Sequence, residues 1–130
     1  MAIAKPEGLG QVWDNPVWPE TIPSDDRLRL AYGSFADELV VLFEDGRGRA
    51  AYFDFIATPG EVDYAAVKID MDSGTVTGVM VYPLAAWAVE KHPAWREAME
   101  SHPSPNLARR IVLDIKELYD RYGRNPETAP

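Results

Sequence analysis

The hydrophobic pattern of this chain changes period at Pro83, and that change limits the folds it can adopt. Before Pro83, apolar and polar side chains alternate in short runs separated by turn residues, which is the pattern of half-buried strands. After Pro83, apolar side chains recur every three or four residues, as on one face of a helix. Strands followed by helices predict an α+β fold, in which the helices pack on one face of an antiparallel sheet.

The strand pattern extends over residues 27–82. Asp45-Gly46-Arg47-Gly48 and Asp72-Ser73-Gly74 are clear turn signals between apolar runs. Because strands joined by short turns pair with their neighbours in sequence, we expect a four- to five-stranded antiparallel meander. The runs are 28–32, 38–44, 49–57, 64–71 and 75–82.

Two or three helices are predicted within residues 83–123. The first, at 84–91, ends before Pro93, because a proline inside a helix removes a hydrogen bond and clashes with the preceding turn. Pro93 fits the first position of a second helix. A third helix begins with Ser104 as N-cap and ends at Gly123. Its apolar face consists of Leu107, Ile111, Ile115, Leu118 and Tyr122.

Residues 1–26 form a proline-rich segment that precedes the predicted domain at 27–123. Proline biases its neighbours to extended backbone, so we expect an extended arm, and a loose tail at 124–130. Trp13 and Trp18 lie in the arm and are our candidate binding anchors, because tryptophan favours interface cores. The arm packs either on its own domain or on a second protomer, and the sequence leaves both open.

The charge of the chain restricts its partners. The formal net charge is −8, and residues 1–65 carry 12 acids against 5 bases. Nucleic-acid binding requires clustered Lys and Arg, so we expect no nucleic-acid partner and favour a basic protein or a second copy. No apolar run approaches the length of a membrane span, and the first residues lack the apolar core of a signal peptide. We therefore expect a cytoplasmic protein without a membrane partner.

No familiar catalytic or metal motif appears in the sequence. The chain contains no cysteine, and its two histidines, His92 and His102, are ten residues apart across a helix break. It also lacks a Gly-x-Ser-x-Gly elbow and a phosphate-binding glycine loop. We predict no metal and no cofactor, and we favour a non-enzymatic role while leaving an enzymatic one open.

Two stretches in the middle of the chain carry a recognisable pattern. The first is Tyr32-Gly33-Ser34-Phe35-Ala36-Asp37-Glu38-Leu39-Val40-Val41, and the second is Val67-Lys68-Ile69-Asp70-Met71-Asp72-Ser73-Gly74-Thr75-Val76-Thr77-Gly78-Val79-Met80-Val81. In these stretches the chain resembles a family of small bacterial domains of unknown function that contain a short antiparallel β meander, and the resemblance covers about residues 27–90. It implies a fold and no established activity, together with an antitoxin-like role as a protein partner.

Two functional hypotheses follow. The first is a protein–protein interaction or self-association module, for instance a homodimer, that uses Trp13 and Trp18. The second is a small-molecule binding protein or minor enzyme with an aromatic pocket between the sheet and the helices. The residues predicted to line that pocket are Tyr82, Trp87, His92 and Trp95.

Overall fold

Five antiparallel strands form one sheet in the computed structural model, which describes residues 16–46 and 48–123. Short 3-10 turns at Asp25–Arg27 and Glu44–Gly46 lie before the first strand and after the second. The α+β class predicted from the change of period is confirmed, because helical segments follow the last strand. The strands are β1 (Leu28–Gly33), β2 (Glu38–Phe43), β3 (Ala51–Phe55), β4 (Ala65–Asp70) and β5 (Val76–Val81).

The strand order differs from a continuous meander at one connection. Across the sheet the order is β1-β2-β5-β4-β3, so β2 pairs with β5, and the segment after β2 does not form a hairpin with β3. Burial explains this order, because every residue of β5 is buried whereas most of β3 is exposed. A strand in the interior of the sheet has a neighbouring strand on each side, whereas an edge strand has only one neighbour. The more apolar β5 therefore occupies the interior, and β3 lies at the edge.

Gly78 allows β5 to fit between its two neighbours. A Cβ atom at this position would lie 2.8 Å from the Val41 carbonyl oxygen on β2. A glycine inside a strand weakens it but permits such a close backbone approach. A larger residue at position 78 would therefore push β5 away from β2.

The helical half begins directly after a cis Tyr82–Pro83 bond. It consists of a π-turn at Leu84–Ala88, α1 (Val89–Lys91), a 3-10 helix at Pro93–Met99, α2 (Leu107–Leu118) and a π-turn at Tyr119–Gly123. Pro93 opens its helix as predicted. The last helix starts later than predicted, with Asn106 at the N-cap position, because the Ser104 hydroxyl donates to Glu97 Oε2 at 2.5 Å instead.

The apolar face of α2 packs on the sheet, with one shift from the predicted pattern. Leu107, Ile111 and Ile115 are buried as expected. Tyr122 is 39% exposed, and Tyr119 is buried in its place. The π-turn at Tyr119–Gly123 causes this shift, because its wider turn changes the angular position of each following residue.

Asp37 ties the β1–β2 turn to the first helical segment. Its Oδ1 accepts hydrogen bonds from the Tyr32 hydroxyl at 2.7 Å and from the Ala85 N–H at 2.8 Å. Its Oδ2 accepts from the Ala86 N–H at 3.0 Å, and its carbonyl accepts from the Leu84 N–H at 3.0 Å. The carboxylate thus caps the N-terminal N–H groups of a segment that is distant in sequence.

Candidate functional site

The sheet has a second face that points away from the core. Directly paired residues of antiparallel strands point to the same side, and side chains alternate along each strand. Val41 pairs with Val79, and both belong to the core cluster. The adjacent pair, Val40 and Met80, points to the opposite side and lies outside that cluster. We call this side the back face; its side chains are those of Arg29, Ala31, Glu38, Val40, Leu42, Phe53, Phe55, Ala66, Lys68 and Met80.

The back face is apolar, and its aromatic residues are exposed. Phe53 and Phe55 on the edge strand β3 are 41% and 39% exposed, and Val40 and Leu42 are half-buried. The sequence places the two phenylalanines on one face of β3, but periodicity alone does not say which face meets the helices. Tyr52, from the other side of β3, packs against the core instead. Exposed apolar side chains on one face of a sheet are typical of interaction sites.

Two opposite charges flank the centre of the back face. Met80 pairs with Val40 on β2 and with Ala66 on β4. Glu38 lies two residues from Val40, and Lys68 lies two residues from Ala66. Strands β2 and β4 run in the same direction, because both are antiparallel to β5. Glu38 precedes Val40 and Lys68 follows Ala66, so the two charged residues lie towards opposite ends of the sheet. Glu38 and Lys68 are therefore on a diagonal that passes through Met80. Within residues 16–46 and 48–123, neither side chain forms an ion pair.

Trp95 and His92, two of the predicted pocket residues, stack on one another, and with Tyr64 they form a cluster at the margin of the core. Trp95 is completely buried, and its Nε1–H donates to Asp114 Oδ2 at 2.9 Å. The His92 ring stacks on the Trp95 ring at 3.9 Å, with 7° between the planes. The Tyr64 hydroxyl lies 2.9 Å from His92 Nε2. Trp95 is therefore part of the buried core.

Desolvation governs the protonation of this cluster. It lowers the pKa of His92 against the opposing influence of nearby carboxylates, of which Asp114 is the strongest. Burial likewise raises the pKa of the Tyr64 hydroxyl. The pair is therefore a neutral imidazole beside a neutral phenol at neutral pH, an arrangement suited to packing and orientation.

Tyr82 and Trp87, the other two predicted pocket residues, are more exposed than Trp95. Tyr82 follows the last residue of β5 and is 47% exposed. Trp87 is half-buried against the core, with the Lys91 ammonium 5.6 Å from the centre of its ring. A ligand-binding role for the four aromatic and histidine residues stays a prediction.

The described part of the arm lies on its own domain. Val17 forms a parallel bridge with Thr75, in which the Val17 N–H donates to the Gly74 carbonyl at 2.8 Å. The Trp18 ring lies 5.7 Å from that of Tyr119, and the Lys116 ammonium lies 5.6 Å from it. Trp18 is thus held in cis, and Trp13 lies outside the described residues.

Comparison with family models, with curated proteins and with solved structures finds no match to this chain. The resemblance to small bacterial β-meander domains, and the antitoxin-like role that it implies, stay predictions. In the described ranges, no three His, Asp or Glu side chains form a metal-binding group. The same ranges contain no helix that is long and apolar enough to cross a membrane.

Proposed function

We propose that this protein is a self-association module without enzymatic activity, and that two copies dock through their back faces. The observation that carries the proposal is the apolar back face with Phe53 and Phe55 exposed at its edge. Removing this surface from water favours association by roughly 25 cal/mol for each Å² of apolar area buried. Exposed phenylalanines contribute strongly, because aromatic side chains bury large areas.

The positions of Lys68 and Glu38 favour a second copy as the occupant. Two back faces can be related by a twofold axis that lies in the interface plane, passes near Met80 and is perpendicular to the Lys68–Glu38 diagonal. This axis places Lys68 of each copy over Glu38 of the other. Sheets that pack face to face lie about 10 Å apart, a distance that these two long side chains span from both sides. The two sheets then cross steeply, in the orthogonal class of sheet packing.

The net charge of −8 does not oppose this arrangement at the interface itself. The back face carries two cations, Arg29 and Lys68, against one anion, Glu38. Arg29 also pairs with Glu44 at 3.1 Å. Repulsion between the acidic surfaces elsewhere is screened beyond about 8 Å at physiological salt. Salt screens both this repulsion and the attraction within the Lys68–Glu38 pairs.

Replacing Phe53 or Phe55 with threonine should weaken self-association by roughly 30-fold, about 2 kcal/mol, because each change removes an aromatic anchor. Threonine keeps the β propensity of the edge strand. Multi-angle light scattering across a concentration series measures the dissociation constant. The matched control is Phe35→Thr, since Phe35 is 106% exposed but lies in the β1–β2 turn, off the back face.

The control should leave the dissociation constant unchanged. If Phe35→Thr weakens association as much as Phe53→Thr does, the back face is not the contact surface. Circular dichroism spectra of the three variants should match the wild type, because all three side chains are well exposed in the single chain.

A further inference from the structure

A cleft of about 520 Å³ lies at the end of the sheet, away from the centre of the back face. The arm forms one wall through Pro19 and Pro23, and the β4–β5 hairpin forms another through Ser73 and Thr77. Clefts of this volume are typical of sites for small molecules. Its lining combines an apolar part with a few polar groups, which is the composition expected of a binding site.

Arg49 is fixed at the mouth of this cleft. Its Nε–H donates to Asp70 Oδ2, and Asp70 Oδ1 accepts from the Asp72 N–H at 2.8 Å and the Ser73 N–H at 3.1 Å. Asp70 is almost completely buried, whereas the Arg49 side chain is 52% exposed. Burial opposes ionisation of Asp70, but the bonds from Ser73, Asp72 and Arg49 outweigh it and lower its pKa. The carboxylate therefore stays charged and holds the guanidinium in place.

This anchoring leaves the terminal amino groups of Arg49 available. In the part of the chain that the structure describes, they have no hydrogen-bond partner. A planar guanidinium fork held by its Nε is preorganised to bind a carboxylate or a phosphate through two parallel bonds. Arg27 lines the same cleft and adds a second positive charge.

Thr77 supplies an independent indication of a ligand. It lines the cleft, it is 8% exposed, and its hydroxyl is buried with no hydrogen-bond partner in the described ranges. Buried hydroxyl groups are almost always paired, so an unpaired one at a cleft indicates a missing partner.

We propose that the cleft binds a small organic carboxylate with an apolar body, held by the Arg49 fork and the Thr77 hydroxyl. A carboxylate matches the planar Arg49 fork through two parallel bonds, and the apolar walls of the cleft favour an organic body over inorganic phosphate. Pro19, Pro23 and Phe43 provide the apolar walls for the rest of the molecule.

Titration of ¹⁵N-labelled protein with benzoate, benzamide and inorganic phosphate tests this proposal. Benzoate should shift the backbone amides of residues 73–77 in a saturable way, and benzamide, which lacks the charge, should not. Thr77→Val removes only the hydroxyl, and Arg49→Lys keeps the charge facing Asp70 but loses the fork. Each should weaken benzoate binding by about tenfold, because each removes a directional hydrogen bond to the anion.

Three results would overturn the proposal: no saturable shift with benzoate, equal shifts with benzamide, or tighter binding of phosphate than of benzoate. Retention of a dispersed spectrum by both variants shows that they are folded. The readout concerns residues 73–77 alone, so it is independent of whether two copies associate through the back face.

Discussion

Trp95→Ala should lower the free energy of unfolding by about 3–5 kcal/mol, the usual cost of removing a buried tryptophan. Trp95 is completely buried, stacks on His92 and donates its indole N–H to Asp114. The substitution therefore leaves a cavity and also an unpaired acceptor. Because small domains are stable by about 5–15 kcal/mol, the variant loses a large part of its stability.

Urea denaturation followed by circular dichroism measures this loss. Trp95→Phe keeps most of the ring packing and should cost less than the alanine variant, since it chiefly loses the bond to Asp114. Trp87→Ala is the matched control, because Trp87 is only half-buried on the preceding helical segment. A loss at Trp95 no larger than that at Trp87 would show that Trp95 does not anchor the core.

Asp37→Ala should destabilise the fold by about 2–3 kcal/mol, from the loss of a helix cap and of a hydrogen bond to a charged acceptor. The carboxylate accepts from Tyr32, Ala85 and Ala86, and so joins the sheet to the helices. Asp37 also has a φ of 56°, a conformation that aspartate and asparagine tolerate better than alanine. Asp37→Asn should therefore cost less than Asp37→Ala.

The pH dependence of stability shows how much of the contribution of Asp37 comes from its negative charge and how much from the shape of its side chain. Desolvation opposes ionisation, but the hydrogen bonds, that from Tyr32 foremost, outweigh it and lower the pKa of Asp37 below its ordinary value of 3.8. A depressed folded-state pKa stabilises the fold above the unfolded pKa, and this stabilisation is lost as the pH falls from about 4 through the folded value. In Asp37→Asn, the free energy of unfolding should fall less steeply as the pH drops below about 4, because residue 37 no longer titrates. An unchanged slope would contradict the role of the charge.

The sequence predicts the elements of this fold well because their signals are local. The alternation in 28–32 and the helical spacing from Leu107 to Ile115 are properties of neighbouring residues, and both stretches form the expected type of element. The strand order was less predictable, since it depends on which strand gains most from an interior position. That competition between β3 and β5 involves the whole sheet, so the turn at 45–48 does not decide it.

The candidate site was harder to predict than the fold. His92 and Trp95 are near in sequence, and the structure stacks the partly buried His92 ring on the Trp95 ring in the core. The back face arises from pairing among strands that are distant in sequence, so no local pattern brings Phe53, Lys68 and Glu38 to one surface. The alternation in β3 was the available signal, and it became informative only once the strand was known to lie at the edge.

Sedimentation velocity of a charge-reversal set tests the proposed back-face dimer most directly. Lys68→Glu and Glu38→Lys each place like charges opposite one another twice in the dimer and should each weaken it by about 100-fold, or 2.7 kcal/mol. The double variant restores opposite charges at both contacts and should recover the wild-type dissociation constant. A wild-type protein that stays monomeric at every concentration, or a double variant as weak as the single ones, would contradict the account.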